Sequence, residues 1–338
     1  MVHAMTTHRP HQTIAYVGNF APPHSTENHV AETLRRMGHT VVPLQENVPA
    51  MWADLCETLP AIQPDVVLWT RTGWDPPVSA ESQLALLAMC HEDGVPVVGF
   101  HLDRWWGLER QHQVDSEPFF QCDIVATADG GHDQMWLEHG VNHLWSPPAV
   151  AEWQCGFGTP RAEYRTEVAF VGSWDSYHHE WPWRRQMVRQ LQARYGSRMR
   201  CWPERGRPAV RGSALRDLYA SATVVVGDSC LAPAADGGPM TRYWSDRVPE
   251  TLGRAGLLVH PNVVGLDGEY VLGEELLGVE PQNIEAMYDV IDMALAMPVE
   301  VQHEIRRNAL RAVLGHHTYR HRMETLLDAV HELAERAS

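Results

Sequence analysis

Short apolar runs alternate with amphipathic segments along nearly the whole chain, and this alternation limits the possible folds more than any other feature. The apolar run at residues 13–17 is followed by a segment with apolar residues at helical spacing. Ser25 or Thr26 can cap that helix, Gly38 ends it, and the next apolar run covers residues 40–44. A strand, a helix and a strand within about 30 residues form a right-handed βαβ unit of a parallel sheet.

The alternation occurs in two halves, separated by a linker at residues 150–165. In the first half we predict strands at 13–17, 40–44, 65–69, 95–100 and 123–127, and helices at 25–38, 80–92 and 131–139. In the second half we predict strands at 167–171, 198–202, 223–227 and 256–260, and helices at 183–195, 214–220, 247–255, 281–297, 299–314 and 319–336. The predicted fold class is therefore α/β, with two doubly wound parallel sheets.

The length and the apolar content agree with two globular domains. The chain has 338 residues, and a domain typically has about 150. We place the domains at residues 1–152 and 165–318. No apolar run reaches the roughly 18 residues of a membrane span, and the start lacks the pattern of a secretion signal. A cytoplasmic protein is expected.

The charge and the cysteines exclude several classes of function. The net charge is −16, which opposes non-specific binding to nucleic acid but allows a local basic groove. The six cysteines are scattered without a CxxC pair, so neither a disulfide framework nor a zinc cluster is expected. The histidine pairs at 178–179 and 316–317 lack partners at known ligand spacing, so we predict no metal site.

Three segments resemble nucleotide-sugar glycosyltransferases of the GT-B fold. They are STENHVAETLRRMGH at residues 25–39, LRDLYASATVVVGDS at 215–229 and the region 243–259. Within the last region, SDRVPETLGRAG at 245–256 is similar to bacterial spore-maturation-type and phage-encoded glycosyltransferases. The resemblance implies two Rossmann-like domains that face a central cleft, with a final helix at 319–338 packed against the first domain. It also implies a UDP- or GDP-sugar as co-substrate, no required cofactor or metal, and a monomer or homodimer.

The sequence departs from the family pattern at two positions. Many retaining members carry two glutamates eight positions apart; Glu250 matches the second, but Arg242 occupies the position of the first. Ser173 stands where those members have a basic residue. The phosphate-binding residues therefore differ in detail, and the stereochemical outcome of the transfer is left open.

The chemistry of a sugar nucleotide suggests roles for the residues of the second half. Glu250 can accept two hydrogen bonds from the ribose diol, or serve only as a favourable acid at a helix start. Arg247, and after it Arg242, can neutralise the diphosphate beside a helix start, or form surface ion pairs. Trp202 can stack on the base or pack in the core. The predicted donor site consists of Gly172, Ser173, Trp202, Asp228, Ser229, Arg242, Ser245, Asp246, Arg247 and Glu250.

The acceptor and any general base are expected at strand ends of the first half. Asp103 or His24 could remove the proton of an acceptor hydroxyl, although either could instead be a structural loop residue. Other acceptor-side candidates are Asn19, Glu27, Arg71, His101, Gly131 and His132. Aromatic residues at 105–106 and 119–120 could flank an acceptor or pack a long loop.

The leading hypothesis is transfer of a hexose or pentose to a hydroxyl group. A sugar-nucleotide epimerase uses the same fold and would release product without an acceptor, and a binding protein could keep the fold without catalysis. The acceptor could be a hydroxylated pyrimidine in DNA, a small molecule or a cell-wall glycan. A DNA acceptor requires positive residues to gather at the site, and the candidates are Arg71, Arg104, Arg110, Arg184 and Arg185.

Overall fold

The computed structural model describes residues 10–71, 78–175, 179–230 and 241–337. These residues form two parallel sheets of six and five strands, with helices in the connections. The predicted α/β class with two doubly wound sheets is confirmed.

The first sheet has the strand order β2-β1-β3-β4-β5-β6. Its strands are β1 Thr13–Gly18, β2 Thr40–Gln45, β3 Val66–Thr70, β4 Val97–His101, β5 Ile124–Thr127 and β6 His143–Trp145. The helices of this part are α1 Thr26–Arg36, α2 Pro49–Ala53, α3 Leu55–Ile62, α4 Ala80–Glu92 and α5 Asp133–Glu138. Strand β1 pairs in parallel with β2 and β3, as a βαβ unit requires.

The second sheet has the strand order β11-β10-β9-β7-β8. Its strands are β7 Thr166–Val171, β8 Met199–Trp202, β9 Ala222–Val226, β10 Leu258–Pro261 and β11 Leu277–Val279. The helices are α6 Trp183–Tyr195, α7 Gly212–Ser221, α8 Arg247–Gly253, α9 Ile284–Ala296, α10 Val299–His316 and α11 Tyr319–Ala337.

The sequence analysis missed two strands and two α-helices. Strands β6 and β11 have three residues each, too short for an alternation of side chains to become visible. Helices α2 and α3 are also short, and Pro60, a residue that disfavours a helix interior, lies inside α3.

Both faces of the second sheet are buried, which explains its nearly continuous apolar strands. Val168 and Phe170 point to one face and join a core cluster with residues of α6 and α9. Ala169, between them, points to the other face, where the cluster includes residues of α7 and α10. Successive side chains of a strand alternate between faces, so one strand serves both clusters.

The order of the strands fixes where a ligand is expected. In the first sheet the connections change direction between β1 and β3, and in the second between β7 and β9. Open α/β sheets bind ligands at the carboxyl ends of the strands beside such a switch point. Gly172 and Asp228 lie just beyond β7 and β9, and Asn19 and Arg71 just beyond β1 and β3.

The chain divides into two compact units. The first contains the described residues up to His101, residues 116–126 and those from Leu327 onward. The second contains residues 102–115 and the described residues of 127–326. The predicted boundary at residues 152–165 stays a prediction. All six cysteines are free thiols, and no helix of the described residues is both long and apolar enough to cross a membrane.

The close packing of β4 against Phe119 gives a test of the first core. A Cβ atom at Gly99 would lie 2.9 Å from two atoms of the Phe119 ring. We expect Gly99→Ala to lower the free energy of unfolding by about 1–3 kcal/mol, because the ring is fully buried and has to shift. Urea denaturation followed by tryptophan fluorescence measures the change.

Gly315→Ala is the matched control, since it adds the same methyl group in α10 where a Cβ meets no atom within 4 Å. Alanine is the better helix former by about 0.8–1 kcal/mol, so this variant should be at least as stable as the wild type. Equal stability of the wild type and Gly99→Ala would show that the ring is not held tightly.

Candidate functional site

An arginine lies over a glycine where strand β7 ends. Gly172 has a φ of +142°, a conformation that side chains rarely adopt, and a Cβ atom there would overlap the guanidinium of Arg247. Nε of Arg247 donates to the carbonyl of Val171 at 2.9 Å, and Nη1 donates to Ser245 Oγ at 3.0 Å. Two of the predicted donor-site residues are therefore in direct contact, although they are far apart in the sequence.

Helix α8 begins beside this arginine. Ser245 is buried, and its Oγ accepts from the backbone N–H of Arg247 at 3.3 Å and donates to Asp246 Oδ1 at 3.0 Å. Asp246 is exposed at the start of the helix. The structure thus brings Gly172, Ser245, Asp246 and Arg247 together at one end of the second sheet. Ser173, the residue after Gly172, is exposed.

Glu250 lies in the first turn of α8, where the helix dipole favours an acid. Its side chain is 24% exposed and forms an ion pair with Arg254, at 3.7 Å between Oε1 and Nη1. Burial raises the pKa of Glu250, and the positive charge of Arg254 opposes that rise. A recessed carboxylate with one exposed edge can accept hydrogen bonds from a ligand, as the sequence prediction requires.

A buried hydrogen-bond chain supports the start of α8. Ser245 N–H donates to Ser229 Oγ at 2.9 Å, and Ser229 Oγ lies 3.0 Å from His260 Nε2. His260 Nδ1 is 2.8 Å from the carbonyl of Pro261, which can only accept, so Nδ1 carries the proton. In the neutral ring Nε2 then accepts from Ser229. Burial lowers the pKa of His260 to about 4, which keeps the ring neutral.

Asp228 is fully buried in an ion pair. Its Oδ2 accepts from Arg184 Nε at 2.9 Å and from Trp181 Nε1 at 3.0 Å. Burial raises the pKa of Asp228, and Arg184 opposes this. Because both side chains of the pair are 0% exposed, Asp228 supports the loop after β9 from inside.

Two further donor-site candidates have structural partners. Arg242 stacks on the ring of Trp145 at 3.6 Å and forms an ion pair with Glu269 at 2.6 Å. Trp202 is buried in the core cluster and lies under the guanidinium of Arg200 at 4.6 Å. These contacts favour the structural alternatives for both residues, and their roles toward a ligand stay predictions.

The second unit also contains the loops that carry Asp103 and His132. Buried Asp129 joins them, because it accepts from the backbone N–H groups of Trp105 and Trp106. Burial raises the pKa of Asp129 to about 6. Asp103 is 64% exposed, with Arg110 Nη1 at 3.9 Å.

The loop after Asp129 begins with two of the predicted acceptor-side residues. Gly131 is exposed, with a φ of +81°. His132 is buried, 2.8 Å from Thr241 Oγ1, and burial lowers its pKa. Of the two, only Gly131 is on the surface of the structure.

The remaining acceptor-side candidates lie in the first unit. His24 is exposed, and Asn19 accepts from Gln45 Nε2 at 2.8 Å. Glu27 is buried against Gly18, and burial raises its pKa. Arg71 is buried in an ion pair with Glu117 at 3.1 Å, and His101 is buried beside the ring of Phe119.

The sequence analysis missed the supporting groups, above all Asp129 as the junction of two loops and His260 as the end of the buried chain. His260 follows an apolar run at the end of a predicted strand, which was the available signal. For Asp129, the signal was its position two residues beyond β5. What these side chains touch depends on distant segments, which a single sequence does not reveal.

Comparisons with known proteins agree with this arrangement. Residues 179–328 match the family model described as "Glycosyl transferase-like". No curated protein matches the sequence.

Several solved structures share the fold. Sucrose-phosphate synthase from Thermosynechococcus elongatus is 13% identical, with a TM-score of 0.60, over 97% of this chain and 100% of that one. The α,α-trehalose-phosphate synthase (UDP-forming) from Burkholderia vietnamiensis is 12% identical, with a TM-score of 0.61, over 97% and 100%. HepE from Anabaena, solved with UDP and glucose, is 10% identical, with a TM-score of 0.57, over 95% and 100%. The fold is therefore the GT-B fold.

The neutral state of His260 predicts a pH dependence. An unfolded histidine has a pKa near 6.5, whereas His260 in the fold has a pKa of about 4. Between these values the unfolded chain binds the extra proton, so stability decreases as the pH falls from about 6.5 to 4. We expect this residue to account for up to about 3 kcal/mol of the loss.

The variant His260→Gln has no proton to bind there. Its free energy of unfolding should therefore decrease less steeply than that of the wild type over the same pH range, as measured by urea denaturation. At pH 7.5 the histidine is neutral in both states, so a difference at that pH reports packing alone. Parallel curves for the two proteins would contradict a buried neutral His260.

Proposed function

We propose that this protein is a glycosyltransferase that moves a sugar from a nucleotide donor to a hydroxyl acceptor. The observation that carries the proposal is the placement of Arg247 over Gly172, with Ser245 and Glu250 beside it. A cation, a glycine without a side chain and a helix start meet here at the switch point of the second sheet. The match of residues 179–328 to a glycosyltransferase-like family model supports the same conclusion.

Arg247 is suited to hold the diphosphate. Its Nε and Nη1 bind Val171 and Ser245, which fixes the plane of the guanidinium. Within the described residues no group accepts a hydrogen bond from Nη2, which lies against Gly172. A fixed, always charged guanidinium beside exposed backbone can bind two phosphate oxygens. Ser173 N–H is the proposed further donor.

Glu250 is the proposed ligand of the ribose. It lies one helical turn beyond Arg247, so a nucleotide whose phosphates meet Arg247 places its ribose near the carboxylate. Burial raises the pKa of Glu250, and the positive charge of Arg254 opposes this rise and so favours the charged form. A charged carboxylate forms the shorter and stronger hydrogen bonds that a ribose diol can use.

We propose a uridine diphosphate hexose as donor. HepE was solved with UDP-glucose, and a trehalose-phosphate synthase of the same fold is described as UDP-forming. GDP-sugars and pentoses are the alternatives that a panel of nucleotide sugars would distinguish. Because Arg247 and the helix start supply positive charge at the phosphates, transfer should continue in the presence of a metal chelator.

The acceptor is proposed to be a small molecule or a glycan. A DNA acceptor needed Arg71, Arg104, Arg110, Arg184 and Arg185 to gather as a basic surface. The first four are buried, so they cannot form such a surface. Arg185, whose side chain is 50% exposed, is the exception. A hydroxylated pyrimidine in DNA is therefore the less supported acceptor. Release of an altered sugar nucleotide without any acceptor would instead identify an epimerase.

The role of Glu250 predicts a loss of nucleotide affinity. We expect Glu250→Gln to weaken UDP binding by roughly tenfold to a hundredfold, because a charge-assisted hydrogen bond becomes a neutral one. Isothermal titration calorimetry measures the dissociation constant. Glu274→Gln, an exposed residue of the same unit, is the control and should bind UDP like the wild type. Unchanged affinity of Glu250→Gln would move the ribose site elsewhere.

The proposed base predicts a loss of rate without a loss of binding. If Asp103 removes the acceptor proton, Asp103→Asn should bind UDP normally and transfer sugar roughly a hundredfold to ten-thousandfold more slowly. The same result for His24→Ala would place the base in the first unit. Initial rates with the identified acceptor measure the effect, and Asp267→Asn, also exposed, is the control.

Wild-type rates in both variants would show that neither residue is the base. The outcome would then favour a retaining mechanism, in which the donor phosphate takes the proton and the protein supplies electrostatic stabilisation.

A further inference from the structure

A large cavity opens at the amino ends of strands β7 and β9, at the end of the second sheet away from Gly172 and Asp228. Its lining includes Thr166, the first residue of β7, and Ala222, the first residue of β9. The volume is about 880 Å³, which is enough for a small organic ligand. The six residues of β7 separate Thr166, at the cavity, from Gly172 by about 20 Å. Arg254 lines the cavity and also pairs with Glu250, so the cavity lies next to that residue of the proposed donor site.

The cavity is positively charged in a protein that is acidic overall. Its lining contains five arginines and one carboxylate, Glu167, although the chain has a net charge of −16. Three of the arginines have acidic partners. Arg198 pairs with Glu167, Arg161 with Asp217, and Arg254 with Glu250.

The other two arginines, Arg165 and Arg306, carry charge that no carboxylate balances. Arg306 is buried, and both of its Nη groups donate to backbone carbonyls: Nη1 to Tyr219 and Ala255 at 3.4 Å, and Nη2 to Ala222 at 2.8 Å and Thr223 at 2.9 Å. Desolvation lowers its pKa, as expected for a buried cation without a counter-ion. Arg165 is exposed at the cavity and has no ion-pair partner within the described residues. Two unbalanced positive charges match the roughly two negative charges of a phosphate monoester.

An aromatic pair at the cavity adds a second kind of contact. Phe157 is 46% exposed and stacks on His303, with ring centroids 6.2 Å apart, and both residues line the cavity. An exposed ring beside arginines suits a ligand that joins a phosphate to a planar or apolar body.

We propose that this cavity binds a small phosphate monoester, with the phosphate held by Arg165, attracted also by the buried charge of Arg306, and the body of the ligand against Phe157. A polyanion such as DNA is a poor occupant, because the chain as a whole is acidic. The proposal does not depend on the proposed transfer reaction.

Phenyl phosphate is a suitable probe, since it carries the dianion and a ring but neither a ribose nor a diphosphate. We expect it to bind the full-length protein with a Kd at or below about 1 mM in isothermal titration calorimetry. Arg165→Glu should weaken binding by at least about tenfold, because it removes a charge-assisted contact and adds repulsion. Phe157→Ala should weaken phenyl phosphate binding more than it weakens binding of inorganic phosphate.

Arg311→Glu is the matched control, since it makes the same change of charge on the exposed side of α10, outside the cavity. This variant should bind phenyl phosphate like the wild type. Equal weakening by Arg165→Glu and Arg311→Glu would mean a general effect of charge and would overturn the proposal. So would a loss of binding in Arg247→Ala but not in Arg165→Glu, which would place the probe at the donor site. Absence of binding to the wild type would also overturn it.

Discussion

The contact between Arg247 and Gly172 holds the proposed donor site together. A side chain at position 172 would occupy the place of the guanidinium, and the positive φ of this residue also disfavours one. The absence of a Cβ lets the end of β7 and the start of α8 share one cation, through Val171 and Ser245. The position of Glu250, one turn along the same helix, follows from this contact.

Buried polar groups behind the contact keep it in place, and each has a partner that offsets the cost of burial. His260 is neutral and orders Ser229, which in turn accepts from Ser245. Asp228 is paired with Arg184. A network whose members have one arrangement of donors and acceptors is rigid, so the helix start does not have to be ordered when a ligand binds.

The sequence was sufficient for the main strands, but not for the contacts that the candidate side chains make. Apolar runs bounded by glycine predicted the main strands, and parallel strands place their carboxyl ends together. The sequence placed Arg247 before Arg242 as the cation at the diphosphate but did not show their contacts: Arg247 lies on Gly172, whereas Arg242 stacks on Trp145. The same holds for Trp202, because a tryptophan that packs in the core and one that stacks on a base occur in the same sequence pattern.

The two ends of the second sheet show why net charge is a weak guide to ligands. The chain as a whole carries −16, yet arginines gather at both ends of the same strands: Arg247 at the carboxyl end and Arg165 and Arg306 at the amino end. Arg254 lines the cavity and also contacts Glu250, so it lies between the two sites. The electrostatic potential at a small ligand is set mainly by charges within about 10 Å, since salt screens more distant charges. Local pairing therefore decides which anions this protein can bind.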